Sequence, residues 1–99
     1  MISLKGKEKI LLRRKVNIRS GKSRGIGTLF ITNKRLSFQP LARKKCIDIE
    51  IDSITEIKIV GRIFKKMSIS TDKREYILFL NGAGNVISLL KALKEKIRA

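Results

Sequence analysis

The sequence predicts a mainly β fold of the α+β class: a bent antiparallel sheet of seven strands, closed into a partly open barrel, with one C-terminal helix as its cap. Three observations predict it. Apolar and polar residues alternate with a period of two in short runs between about residues 9 and 80. Turn-forming Gly, Pro, Asn and Asp separate these runs. The period then changes to that of an amphipathic helix over about residues 83–97.

The first three strands come from residues 9–40. Residues 9–19 alternate between an apolar and a basic face, and Arg14 interrupts the apolar one. A β-bulge or an edge position that leaves the guanidinium free would explain Arg14. Residues 27–38 form two apolar runs around Thr-Asn-Lys-Arg, which predicts a hairpin. Pro40 ends the third strand because it cannot donate a ladder hydrogen bond.

Four further strands are predicted before the helix. Residues 46–52 alternate strictly, with isoleucines on one side and acids on the other. The others cover residues 54–60, 67–71 and 75–80. In the helix, the apolar residues fall at i, i+3, i+4, i+7 and i+11, which makes one continuous stripe. The stripe consists of Val86, Leu89, Leu90, Leu93 and Ile97, and either Asn81 or Asn85 is expected to cap the helix.

Charge is the strongest compositional signal in this chain of 99 residues, which we interpret as one domain over residues 1–99. There are 24 Lys and Arg against 8 Asp and Glu, a formal net charge of +16. Such an excess predicts an anionic partner: nucleic acid, lipid headgroups or an acidic protein. A proteome rich in lysine, as in heat-adapted organisms, is the alternative explanation. Both explanations stay open at this point.

The chemistry of the side chains argues against catalysis. There is no His, and Cys46 is the only cysteine, so a Cys-His pair, a disulfide framework and a thiolate metal cluster are all excluded. Gly21-Lys22-Ser23 resembles the end of a P-loop, but Val16 stands where that motif needs Gly. We therefore expect a non-enzymatic cytoplasmic protein that needs no cofactor.

Four of the acids, Asp48, Glu50, Asp52 and Glu56, lie close together in the sequence. Three of them, Asp48, Glu50 and Asp52, would lie on one face of a strand about 6.6 Å apart, which is wide for a shared metal ion. We expect them to pair with Lys or Arg of neighbouring strands instead, and we predict no metal site.

The order of these elements resembles a known family. Residues 27–38, with Gly27 followed by a strand, Thr-Asn-Lys-Arg-Leu and a second strand, are similar to a hairpin of GRAM and bacterial pleckstrin-homology-like (PH-like) domains. Residues 51–57 resemble the family's hydrophobic-x-Ser/Asp-Ile-x-x-Ile turn, and residues 76–80 resemble its last strand before the helix. The resemblance implies the PH-like fold, whose members have diverse functions.

The resemblance also implies a site. PH domains that bind phosphoinositides carry a Lys late in the first strand and Lys/Arg-x-Arg at the start of the second. Lys22-Ser23-Arg24 matches the second part, and Lys15 or Arg19 could supply the first cation. The chain departs from the pattern in having no Trp, where such domains carry one on the final helix. That departure favours the GRAM and bacterial branch, in which lipid binding does not follow from the fold.

The function predicted is a binding or adaptor module that attaches peripherally to anionic membrane headgroups, at the inner membrane face, or to an acidic protein. Its predicted anion site comprises Lys15, Arg19, Lys22 and Arg24, with Arg43, Lys44 and Lys45 as a second rim. Ile63 and Phe64, flanked by cations, are candidates for insertion into a membrane interface or for stacking on a base. Two alternatives remain: electrostatic binding of nucleic acid without sequence preference, and protein interaction or homo-oligomerisation through an unpaired sheet edge. No apolar run is long enough to predict a transmembrane helix.

Overall fold

All seven predicted strands and the C-terminal helix are present. The computed structural model describes residues 4, 6–21, 23–41, 46–61, 66–80 and 82–98. The elements are, in chain order, β1 (Ile10–Ser20), β2 (Ser23–Thr32), β3 (Arg35–Pro40), β4 (Ile47–Glu50), β5 (Ile54–Val60), β6 (Lys66–Thr71), β7 (Glu75–Phe79) and α1 (Ala83–Arg98), with a short 3-10 turn at Ile51–Ser53. The predicted fold class is confirmed.

The sheet has two halves that share β1. The strand order is β4-β3-β2-β1-β7-β6-β5, and the ladders between neighbours are antiparallel. β1 pairs with β2 along its whole length but with β7 only through Asn17, Ile18 and Arg19. The N-terminal part of β1 therefore belongs to one half of the sheet, and its C-terminal end joins the two halves.

The leucine stripe of α1 covers the open end of the sheet, as predicted. Val86 and Leu90 are fully buried, and the helix packs on β5, β6 and the 3-10 turn. Leu89 is only partly buried, and Ile87 is buried in the same apolar cluster. The side chain of Ile97 lies outside the described residues.

The observed start of the helix excludes one of the two predicted capping residues. Asn85 is the third helical residue, so its prediction as the cap is wrong. The carbonyl oxygen of Gly82 accepts hydrogen bonds from the backbone N–H groups of Asn85 and Val86. Gly82 has a φ of 73°, a left-handed conformation that favours glycine. Asn81, the other predicted cap, lies outside the described residues.

The structure decides between the two explanations for Arg14. β1 does contain a bulge, but it lies at Leu11, because Ile10 pairs with Thr32 while Leu12 pairs with Ile31. Arg14 itself stays in register with β2 and is exposed. No residue of β7 pairs with this part of β1, so its edge position accounts for the exposed guanidinium.

One predicted strand differs in its bounds from the observed one, and another is only partly covered. The strand predicted over residues 46–52 begins at Ile47, after an exposed Cys46, and ends at Glu50, where the chain enters the 3-10 turn. In β5, Ile57 is buried but Ile59 is 44% exposed, because β5 is the last strand at that side of the sheet.

The glycine that begins the family-like hairpin is explained by a close approach between β2 and β3. Gly27 lies opposite Pro40 in the ladder. A Cβ atom placed on Gly27 would come within 2.2 Å of the carbonyl oxygen of Gln39. No larger residue fits there without moving the backbone.

The Thr-Asn-Lys-Arg turn of the same hairpin holds the segment that precedes β1. The Thr32 hydroxyl accepts from the N–H groups of Lys34 and Arg35 at 3.1 and 3.0 Å, and it lies 2.7 Å from the Glu8 carboxylate. Asn33 Oδ1 accepts from the N–H of Lys9 at 2.8 Å. These residues therefore have a structural role that joins residues 6–9 to the sheet.

Candidate anion-binding site

The structure describes three of the predicted site residues: Lys15, Arg19 and Arg24. The others, Lys22, Arg43, Lys44, Lys45, Ile63 and Phe64, lie outside the described residues. The candidate site can therefore be built from the end of the β1–β2 hairpin and from what lies beside it.

Arg19 and Arg24 are directly opposite each other near the end of the β1–β2 ladder. Both are exposed, and both line a cavity of about 510 Å³ whose other lining residues include Asn17, Ile26 and Phe79. Like charges in opposite positions of a ladder are destabilising. Among the residues that the structure describes, neither arginine has a salt-bridge partner. The pair thus presents two guanidinium groups that form no salt bridge with a described residue.

A second cavity, of about 690 Å³, also has Arg19 in its lining. It is lined further by Ser20, Gly21, Arg74, Glu75 and Ile77. The carboxylate of Glu75 accepts a hydrogen bond from the Ser68 hydroxyl at 3.1 Å. We refer to the two cavities together as the arginine cleft, defined by Arg19, Arg24 and Arg74.

Arg74 was not among the predicted site residues. The sequence signal that could have identified Arg74 is its place in a short basic turn, Lys73-Arg74, between two strands. The pairing of Arg19 with Ile77 brings this turn to the β1–β2 hairpin. The sequence pattern does not specify which strands of a sheet are neighbours. The predicted site therefore did not include Arg74, which the fold places beside the β1–β2 hairpin.

Lys15 does not belong to the arginine cleft. It lies four positions before Arg19 in the same strand, a distance of about 13 Å along β1. It borders a separate cavity of about 390 Å³ with Arg13, Arg14, Thr28 and Phe30. The structure brings Arg19 and Arg24 together, and leaves Lys15 with a different group of cations.

Two exposed apolar side chains accompany the arginine cleft. Ile26, which lines the first cavity, is 61% exposed, and Leu41 is 79% exposed. The two residues are adjacent, since the N–H of Leu41 donates to the carbonyl oxygen of Ile26 at 2.9 Å. Two exposed aliphatic side chains therefore accompany the first cavity of the cleft.

Four of the five aromatics lie in strands with apolar neighbours, a pattern that predicts core positions, and the structure divides these four into two groups. Phe38 is buried in the main apolar cluster, and Tyr76 packs against that cluster. Phe30 is 8% exposed and Phe79 is half-buried, but both lie outside the cluster and line surface cavities. The ammonium of Lys66 lies 4.9 Å from the centre of the Phe79 ring. Phe30 is buried, as predicted, although it lies on the face of β2 opposite to the main cluster, and the prediction is wrong only for Phe79, which is half-buried.

One of the four clustered acids, Asp48, pairs with a cation of a neighbouring strand, as predicted, whereas Glu56 pairs within its own strand. Asp48 on β4 contacts Arg35 on β3 at 3.2 Å, and Glu56 contacts Lys58 of the same strand at 3.1 Å. Within the described ranges, no group of three or more potential metal ligands comes together. No helix in the described part of the chain has the length and apolar character needed to span a bilayer.

Comparison with known proteins supports the fold. No protein-family model matches the chain, and no curated protein matches it either. Several solved structures are similar. The N-terminal PH domain of Vps36 has 15% sequence identity and a TM-score of 0.79, with 96% of this chain and 85% of that one covered.

Two more solved structures agree. The N-terminal PH domain of the human ARAP2 protein has 14% identity and a TM-score of 0.67, with coverage of 96% and 85%. A chain of the 8S snRNP assembly intermediate has 19% identity and a TM-score of 0.81, with coverage of 95% and 87%. Identities this low establish similarity of fold and leave the GRAM resemblance a prediction. The chain has a PH-like fold.

Proposed function

We propose that this protein is a binding module that attaches reversibly to anionic membrane surfaces through the arginine cleft. The observation that carries the proposal is that Arg19 lines both cavities, the first together with Arg24 and the second together with Arg74. A site of this kind recognises phosphate or carboxylate groups, because a planar guanidinium can donate two parallel hydrogen bonds to either.

The charge of the cleft is sufficient for reversible attachment. A cation close to an anionic membrane contributes about 1 kcal/mol, so the three arginines, offset by the exposed Glu75 of the second cavity, contribute about 2 kcal/mol. That corresponds to an increase in membrane partitioning on the order of 30-fold. An anionic group between Arg19 and Arg24 would also relieve the repulsion between the two opposite guanidinium groups.

The apolar neighbours of the cleft favour a membrane over a nucleic acid. Ile26 and Leu41 are aliphatic and exposed, a combination that suits the boundary between headgroups and acyl chains. Single-stranded nucleic acid is usually held by exposed aromatic rings on which bases stack. Of the aromatic rings in the described residues, Phe30 and Phe38 are buried and Tyr76 and Phe79 are half-buried.

Vesicle sedimentation tests the proposal. The protein is mixed with vesicles of phosphatidylcholine alone, or of phosphatidylcholine with phosphatidylserine, at low and at near-physiological salt. We expect binding only to the anionic vesicles and weaker binding at the higher salt, because ions screen surface charge. Binding to both kinds of vesicle, or to neither, would contradict the proposal.

Two double variants of equal charge separate the cleft from the general basicity of the chain. Arg19→Gln with Arg24→Gln removes two charges from the cleft, and Lys91→Gln with Lys96→Gln removes two from exposed positions of α1. We expect the first to lose on the order of tenfold or more in vesicle affinity, and the second to lose much less. Equal losses would show that attraction depends on total charge alone.

A gel shift with single-stranded and double-stranded DNA completes the test, and tighter binding to DNA than to vesicles would favour the nucleic-acid alternative.

A further inference from the structure

We propose that the N-terminal part of β1 is a second binding surface, which accepts an acidic segment of another protein as an added β-strand. The surface consists of Ile10–Val16 and is separate from the arginine cleft. Three features carry the proposal: an unpaired backbone edge, cations on both faces of that edge, and a cavity beside it.

The unpaired edge follows from the strand register. β1 pairs with β2 from Ile10 to Ser20, but its other side meets β7 only at Asn17, Ile18 and Arg19. In the described part of the structure, no strand pairs with Ile10–Val16 on that side. A strand edge of this length offers a row of backbone donors and acceptors to an incoming strand.

The charges of this edge specify an acidic occupant. Arg13, Arg14 and Lys15 are consecutive and exposed, and none of them has a salt-bridge partner among the described residues. Because side chains alternate along a strand, Arg13 and Lys15 lie on one face of the sheet and Arg14 on the other. An added strand would place its own side chains beside these cations on both faces. Acids at consecutive positions of the partner would therefore all find a cation.

The third feature is the cavity of about 390 Å³ that these three cations border together with Thr28 and Phe30. The Arg14 guanidinium folds back and donates to the carbonyl oxygen of Arg13 at 3.0 Å. An acidic side chain in the cavity could take the place of that carbonyl as the acceptor for Arg14. The Phe30 ring supplies an apolar wall against which the stem of the incoming side chain can pack.

The same cations exclude a second copy of this chain as the occupant of the edge. Two such edges brought together would place the three cations of one opposite those of the other, and like charges in opposite positions are destabilising. Lysine and other charges are a common means of preventing edge-to-edge association. Here they also select for an acidic partner, since selectivity often depends on repulsion of the wrong ligand.

Three synthetic peptides test the proposal on the full chain. The first is a capped peptide of about seven residues, the length of a typical strand, with three consecutive glutamates flanked by valines. The second has the same sequence with N-methyl groups on alternate residues, which removes hydrogen-bond donors and keeps the charge. The third has lysines in place of the glutamates. The readout is amide hydrogen exchange measured by NMR, residue by residue.

We expect the first peptide, at saturation, to slow exchange within Ile10–Val16 by about tenfold or more. The N-methylated and lysine peptides should give little or no protection. Arg13→Gln, Arg14→Gln and Lys15→Gln together should weaken binding of the first peptide, whereas Lys91→Gln with Lys96→Gln should not. Three results would overturn the proposal: no protection at this edge, protection at β4 or β5 instead, or equal protection by the N-methylated peptide.

Discussion

Arg35 and Glu8 form a two-point ion pair. Arg35 Nε lies 2.9 Å from Glu8 Oε2, and Arg35 Nη2 lies 3.2 Å from Glu8 Oε1. The Glu8 side chain is only 2% exposed and that of Arg35 is 12% exposed. Because Glu8 precedes β1 and Arg35 begins β3, this pair attaches the N-terminal segment to the sheet.

We predict that Glu8→Ala destabilises the protein by about 3 kcal/mol, because it leaves the guanidinium of a nearly buried pair without its main partner. The free energy of unfolding is measured by urea denaturation. Glu95→Ala, at an exposed position of α1, is the control and should change stability by less than about 0.5 kcal/mol. A loss for Glu8→Ala as small as that of the control would show that the pair has little net effect.

The pH dependence of this pair has a definite sign. Hydrogen bonding to Glu8 raises the pKa of Arg35 above its ordinary value, against the opposing effect of burial. Because the pKa of Arg35 is raised in the folded state, the stabilisation by this pair is complete at pH values below the unfolded-state pKa of Arg35. It is lost only as the pH rises through the folded-state pKa. The difference in urea midpoint between the natural protein and the double variant Glu8→Gln with Arg35→Met, which removes both charges of the pair, should therefore stay constant from neutral to mildly alkaline pH. A steady decrease over that range would contradict this.

The two glycines of β2 provide a matched pair of substitutions. Gly27→Ala should destabilise by about 1–3 kcal/mol or more, because the new methyl group would collide with the backbone of β3. At Gly25 the same methyl group would lie 3.5 Å from Phe38, an ordinary contact, and the lower entropy of the unfolded chain favours alanine. We expect Gly25→Ala to be neutral or stabilising by up to about 1 kcal/mol. Similar urea midpoints for the two variants would contradict the close approach at Gly27.

Neighbouring leucines of α1 test how the helix caps the sheet. Leu90 is fully buried and Leu89 is only partly buried. Leu90→Ala should cost about 2–5 kcal/mol, because it removes buried surface and leaves a cavity. Leu89→Ala should cost clearly less, as measured by thermal or urea unfolding. The reverse order would mean that the helix presents a different face to the sheet.

The sequence pattern predicted the fold well because each strand and the helix have a local signal. The period-two runs, the turn residues and the leucine stripe each depend on residues close together in the chain. Glu8 had no such signal, because its partners Thr32 and Arg35 come from a distant turn. Only part of the candidate site was predicted, because only some of its residues lie close together in the chain. Arg19 and Arg24 share one hairpin, whereas Arg74 reaches them only through the pairing of β1 with β7.

The short ladder between β1 and β7 has a consequence for folding kinetics. β1 to β4 form one meander of successive hairpins, and β5 to β7 form another, so most ladders join neighbours in the chain. Among the strand ladders of the described residues, only the pairing of Asn17, Ile18 and Arg19 with β7 joins the first meander to the second. It closes a loop that contains most of the chain, and such long-range contacts slow folding. We therefore expect each meander to form early and the docking of β7 on β1 to limit the folding rate.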